Sequence, residues 1–424
     1  MDKDQVIRAV DEALKRVEAA APYYEAELEA SGVPSDRYEP IFFFKHSHPI
    51  RDVLADCEEF AEGRNIMICY GSGARAVSPQ WAANFILRQA INVGPSNAVD
   101  NYERIMSLKE SEIMLIMALR GVSAEKDICL TENVKLVPIS SLPPSKHKEM
   151  LENPHIVNSQ RGIFPKPRMP LGNQQAALVM TFLVSPIFKD ANEKDGGSAY
   201  FDAYGLLGDI MSCLTVVGPS CPMQEMSWTQ YSDEILDAAS NASSGSSYSI
   251  PEITPFALPV SPPIEEENAR PVIESYLNLD GDSRTKIGVA LHRLNQAMRR
   301  GEAGEKALDL CIALECLLVD DPGEHTHKVS TRSAIITKNT LEERVRAKNI
   351  IKHTYALRSK VVHSGVAGDG TYRVVAGEEK IDANQLTDKA IELTVELAKK
   401  LISRGGVDDW GEFDLLGGRD AEEN

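Results

Sequence analysis

The sequence has no apolar run approaching the roughly 20 residues that cross a bilayer, so no membrane association is expected. It opens Met1-Asp-Lys-Asp-Gln without a basic segment leading into an apolar stretch, so no secretory signal is read. Its seven cysteines (Cys57, Cys69, Cys129, Cys213, Cys221, Cys311, Cys316) are odd in number and widely spaced, and no Cys-x-x-Cys occurs. That speaks against a disulfide framework and a zinc ribbon, and a cytoplasmic protein with reduced thiols is expected. No segment repeats at a fixed period. Positive charge is scarce. With 45 Lys and Arg against 63 Asp and Glu, the net charge of −18 excludes a general nucleic-acid coat protein.

What remains is a soluble globular composition, 43% hydrophobic and 25% charged, in a chain of 424 residues, long enough for two or three domains. The charge is unevenly placed. Residues 1–282 carry −17, Ser283–Arg404 carries +5 (21 Lys and Arg, 16 Asp and Glu), and Gly405–Asn424 carries −6. The one mildly basic segment is where an anionic ligand is expected.

Apolar residues at helical spacing predict a helix over 1–32, stopped by Gly32 and Pro34. The aromatic run Pro40–Phe44 predicts a buried strand. His46 and His48 follow at i, i+2, but no nearby Cys or acidic cluster completes a metal site, and none is assigned. Residues 51–62 read as a helix and Asn65–Tyr70 as a strand. Gly71-Ser-Gly73-Ala-Arg75-Ala76 resembles a dinucleotide-binding turn. The second strand ending in an acidic residue is missing and Pro79 interrupts the following helix, so this is read as a plain glycine turn. Residues 80–92 and 98–120 read as helices, with Ile113–Leu119 a dense apolar stretch.

Ile128–Thr131, Val134–Ile139, Gln174–Ile187, Met226–Trp228 and Thr254–Leu258 read as strands, and Leu206–Leu214 as a helix. Ser240–Ser249 and Pro251–Pro263 are Ser-rich and Pro-rich and read as linker. After Pro263 the periodicity becomes helical, at about 266–277, 284–300, 303–319, 326–338, 341–363 and 384–403, with Asn384 as N-cap of the last. The chain thus divides into an acidic α+β region at 1–263, a helical domain at 264–404, and an acidic mobile tail at 405–424 in which Trp410 and Phe413 dock locally.

One stretch of the helical domain carries chemistry. Tyr355-Ala-Leu-Arg358-Ser-Lys-Val-Val-His363-Ser-Gly365 pairs a fork of phosphate-binding donors on Arg358 with a proton carrier, His363. Residues five apart differ by about 140° around a helix, so the two do not share one face of a regular helix. Either the helix ends near Val362, with Gly365 as cap, or the two groups address a cleft from different angles. A symmetric dimer pooling two copies resolves this. Glu315, in an apolar helix, needs a partner, for which Arg358, Arg332 and Lys328 are candidates. Tyr355 stacks on a base or packs in the core.

Four blocks occur in order: Val289–Ala297, Glu305–Leu318, Lys328–Ala334 and Tyr355–Gly365. Together they resemble the Apea-like HEPN domain family over about 285–403. The resemblance implies a small helical bundle that pairs about a twofold axis. It also implies a metal-independent endoribonuclease whose Arg-x4-His motif is Arg358 and His363, without metal or other cofactor. The position after the Arg, often Asn, Asp or His in nuclease members, is Ser359. Members are frequent in toxin–antitoxin, abortive-infection and RNA-processing systems. The expected reaction is attack of the RNA 2′-hydroxyl on the adjacent phosphorus. His363 would move the proton and Arg358 would hold the developing charge, with Glu315, Arg332, Lys328, Tyr355 and Ser359 in support. Such an enzyme is expected to be a defence or stress effector, with the N-terminal region sensing a trigger or receiving a regulatory partner. The competing expectation is a non-catalytic module that binds RNA or nucleotide, or scaffolds an assembly.

Overall fold

The apolar run Ile113–Leu119 lies in the central strand of the molecule, not at the end of a helix. The computed structural model describes residues 1–31, 42–61, 64–71, 73–152, 175–191, 198–218, 220–240, 247–248, 262–320, 323, 325–365, 370–375, 380–406 and 409–416. The strand expected at Thr254–Leu258, and most of the Ser- and Pro-rich linker, lie outside these residues.

The N-terminal layer comprises helices α1 (Lys3–Ser31), α2 (His48–Ala55), α3 (Pro79–Val93) and α4 (Pro95–Met106). They enclose a small antiparallel sheet of β1 (Ile66–Tyr70), β2 (Gly73–Ala76) and β7 (Phe188–Asp190), ordered β2-β1-β7. The Gly-x-Gly motif is the turn of the β1–β2 hairpin, where Tyr70 pairs with Gly73. Gly71 has φ +59°, and a Cβ there would meet Thr229 at 2.6 Å, so local geometry accounts for the glycine. The strand expected at Pro40–Phe44 is instead helical over Phe42–His46. Phe43 is buried there under the Arg88 guanidinium, 5.2 Å from its ring, while Phe44 stays exposed, so tertiary packing overrides aromatic strand propensity.

The larger sheet is antiparallel, ordered β4-β5-β6-β3-β8-β9. Its strands are β3 (Ser111–Arg120), β4 (Ile128–Cys129), β5 (Val134–Pro138), β6 (Gln175–Val184), β8 (Met223–Tyr231) and β9 (Ser247–Tyr248). β3 pairs with β6 from Ser111↔Val184 to Arg120↔Gln175, and with β8 on its other side. Both of its faces are covered. Leu115, Met117 and Leu119 enter one core, Ile116 and Ala118 another. That two-sided burial removes the alternation that marks a strand, which is why the run reads as the end of a helix.

Helix α5 (Lys146–Glu152) lies near the outer face of this sheet, and α6 (Ser198–Val217) packs on the inner face. From residue 264 the chain is essentially helical: α8 (Glu266–Leu277), α9 (Gly281–Arg299), α10 (Ala303–Leu318), α11 (His325–Thr337), α12 (Leu341–Ser364), α13 (Ala383–Arg404) and α14 (Trp410–Leu416), after α7 (Glu234–Ser240) in the α+β part. The expected helices from 266 to 403 agree to within three residues at their ends. The N-cap of α13 is Asp382, not Asn384. Its side chain accepts from the Gln385 amide and Gln385 bonds back, a reciprocal box that fixes the start two residues earlier.

One apolar core runs from Leu115, Leu136 and Leu178 of the sheet through Leu207 and Leu214 of α6 to Leu291, Leu314, Ile351 and Leu397 of the bundle. Asn295 stitches the same junction, donating to the Pro222 carbonyl at 3.0 Å. The architecture is thus a mixed α+β part continuous with a helical part. Among the described residues no helix is long and apolar enough to cross a membrane.

Candidate functional site

α12 carries both groups of the Arg-x4-His motif. Its start is fixed by a capping box between Thr340 and Glu343. Its end is fixed by Gly365, left-handed at φ +69°, whose amide reaches the Val361 carbonyl. The helix therefore runs past His363 to Ser364. Of the two geometries left open by the sequence, the early stop at Val362 is not taken, and Arg358 and His363 leave one regular helix about 140° apart.

His363, Ser359 and Lys360 are exposed. Arg358 is half-buried at the edge of the packed face, and its Nε is buried with no hydrogen-bond partner among the described residues. The inward side of α12 holds a polar cluster against α10. The Tyr355 hydroxyl donates to Glu315 Oε1 at 3.2 Å. Tyr355 is buried, which selects packing over base stacking. Burial, then Cys311 and Glu315, raise its phenol far above the ordinary range, so it stays a neutral donor. Burial pushes the Cys311 thiol up to about 12, against the opposing pull of Arg358. His325, at the start of α11, places Nδ1 3.9 Å from Glu315 Oε1. Arg358, Tyr355, Glu315, Cys311 and His325 thus come together where α10, α11 and α12 meet.

The remaining expected residues are dispersed. Arg332 does not pair with Glu315. It is buried and grips Asp414 of α14 with two parallel bonds, Nε to Oδ1 at 3.0 Å and Nη2 to Oδ2 at 2.7 Å. It also donates to the Leu318 carbonyl at the end of α10 and lies 4.7 Å from the Trp410 ring centroid. Arg332 therefore ties α14 onto the bundle, and Trp410 is buried within the segment expected to be a mobile tail. Lys328 is half-buried in the first turn of α11. Asp309 is buried between Arg293 and Arg300, at 3.3 and 2.9 Å, and holds α9 to α10. His46 packs on Phe42, and His48 Nε2 lies 2.5 Å from Arg16.

A short segment folds back along α12. Tyr372 bridges to Ile381, Asn349 donates to the Val374 carbonyl at 2.7 Å, and His353 Nε2 donates to the Arg373 carbonyl at 3.1 Å. The sequence reading missed this strap and the place of Cys311 and His325 beside Glu315. The i, i+4 recurrence of Cys311 and Glu315 was the available signal for the first of these two.

No family model, no curated protein and no solved structure matches the chain.

Proposed function

We propose that the chain is an endoribonuclease of the HEPN type, with α12 as its catalytic helix. The observation that carries this is the state of the two motif groups. His363 is exposed in the last turn of α12, and Arg358 presents a guanidinium without a carboxylate partner among the described residues. Arg358 would stabilise charge developing on phosphorus, and His363 would move the proton of the 2′-hydroxyl or of the leaving 5′-oxygen. The 2′-hydroxyl is the nucleophile, so RNA is cut and DNA is not. The 140° separation means that one chain does not aim both groups at one phosphate. The active form is therefore a homodimer in which the α12 ends of two copies meet, with exposed Val362 at the contact. The N-terminal α+β part would restrain or trigger the nuclease in a cytoplasmic defence or stress response.

The same divergence of Arg358 from His363 favours the second reading, a non-catalytic RNA-binding or scaffolding module. Incubation of the purified chain with RNA in EDTA separates the two. Cleavage lowered at least 100-fold in both Arg358→Ala and His363→Ala is the expected outcome. Binding without cleavage by the unaltered chain would leave only the module. A molecular mass of one chain in solution, with full cleavage, would remove the dimer.

A further inference from the structure

The outer face of α12 carries lysines that meet no carboxylate among the described residues. Between Arg344 and Ser364 the chain has six Lys and Arg and no acid. Cations of neighbouring helices meet carboxylates: Lys286 with Asp320, Arg300 with Asp309, Lys306 with Asp388, Lys338 with Glu396. Lys348, Lys352 and Lys360 make no ion pair among the described residues. In a molecule of net charge −18 this is a local reversal of sign, and it fits an anionic partner.

The geometry narrows the partner. At 100° per residue, Lys348, Lys352, Ser359 and His363 fall within an arc of about 60°, and Lys360 lies about 60° beyond it, on the side where its Nζ is 6.0 Å from the Tyr372 ring centroid. Along the axis Lys348 and Lys352 stand about 6 Å apart and Lys352 and Lys360 about 12 Å, on the order of one and two phosphate steps in an extended strand. Between the lysines the outward positions are Ala356 and Ser359, both exposed and small, so a strand can lie close to the helix. A protein partner would need large apolar or aromatic anchors, and interface cores are poor in Lys. The large apolar residues on this side, Leu341, Val345 and Val362, sit only towards the ends of the helix. Lys348, Lys352 and Lys360 form one strip about 120° wide and about 18 Å long on a single helix, which suits a single backbone, whereas a duplex presents two rows across a groove.

We infer that the outer face of α12 is a track for the phosphate backbone of a single-stranded nucleic acid, with Lys348, Lys352 and Lys360 as contacts and His363 at its end. What the track delivers to His363 rests on the nuclease reading; the binding itself does not.

The test is fluorescence anisotropy of the full chain with a labelled single-stranded DNA 20-mer, which lacks the 2′-hydroxyl and is not cut. The chain binds, and affinity falls with salt. Lys348→Gln/Lys352→Gln/Lys360→Gln weakens binding at least tenfold at low salt. It also flattens the slope of log K against log salt by about 2, at about 0.7 per lost phosphate contact. Lys15→Gln in α1 changes neither. The inference falls if the unaltered chain does not bind, or if the triple variant keeps both affinity and slope. It falls too if a duplex binds as tightly, or if poly-glutamate of equal charge competes equally, which would mark a general polyanion or acidic-protein site. Because Lys352 and Lys360 are exposed and Lys348 is half-buried without an ion pair among the described residues, an unchanged circular dichroism spectrum accompanies the loss. Strand binding without RNA cleavage would sink the nuclease reading and leave the track standing.

Discussion

Two groups outside the candidate site, buried His147 and half-buried Asp237, make stability depend on pH in opposite senses. His147 stacks on Trp228, 5.1 Å between ring centroids, with Nδ1 buried and unpartnered among the described residues. Burial, with a smaller push from Lys146, takes its imidazole down to about 4. Between about pH 6.5 and 4 the unfolded chain therefore binds a proton that the folded chain refuses. The contribution of neutral His147 is complete above 6.5 and falls away by roughly 3 kcal/mol as the pH drops through that window. Asp237 accepts from the Tyr231 amide at 2.9 Å, yet burial takes its carboxyl up to about 6. Here the folded chain keeps a proton that the unfolded chain releases, so stability is lost as pH rises towards 6. Urea unfolding at pH 7 and pH 4.5 checks the signs. His147→Phe should lose less stability on acidification than the unaltered chain, and Asp237→Asn should lose more. Equal losses in all three would refute the assignment. Neither position is marked by sequence: His147 lies between Lys146 and Lys148, and Asp237 follows Glu234 by one helical turn, and only packing near β8 shields them.

At the scale of the element, α12 depends on its two ends. Thr340→Ala removes the capping box and should cost about 1 kcal/mol. Gly365→Ala should cost a similar ~1 kcal/mol, all of it conformational, because φ is +69° and no atom lies within 4 Å of an added Cβ. Gly365→Asn should recover part of that loss. Thermal unfolding of the three variants measures this, and a Gly365→Ala protein as stable as the parent would show that the left-handed cap is not required. Helix ends marked by glycine were readable, as at Gly365 and Gly405. The start of α13 was not, because Asn384 and Asp382 are equally good caps and only the reciprocal bond from Gln385 decides between them. The element that misread most was β3. Its residues satisfy neither period, because the layers on both of its faces come from distant parts of the chain.

At the scale of the molecule, the shared core joins the sheet to the bundle. The three tryptophans report on different parts: Trp81 on the N-terminal layer, Trp228 on the outer face of the large sheet, Trp410 on α14. Variants keeping only Trp228 or only Trp410 should unfold in urea with coincident midpoints, because β3 and β8 feed the sheet core while β3 also feeds the bundle core. Midpoints well apart would mean that the helical part is an independent folding unit. Asn295 and the Arg284–Asp209 pair, which tie α9 to the sheet and to α6, are the contacts to weaken next in that case.

The sequence by itself determined the helices after Pro263, the basic segment among acidic neighbours, and the angular conflict between Arg358 and His363. These follow from local periodicity, composition and helix geometry, all functions of short stretches of chain. Only the tertiary structure decided that β3 is a strand, that Arg332 serves Asp414 and not Glu315, that Tyr355 packs, and that Lys348 and Lys352 make no ion pair among the described residues on the face of α12 that ends at His363. Each of these depends on which distant residue arrives opposite, and burial and charge pairing are settled by that arrival rather than by neighbours in sequence.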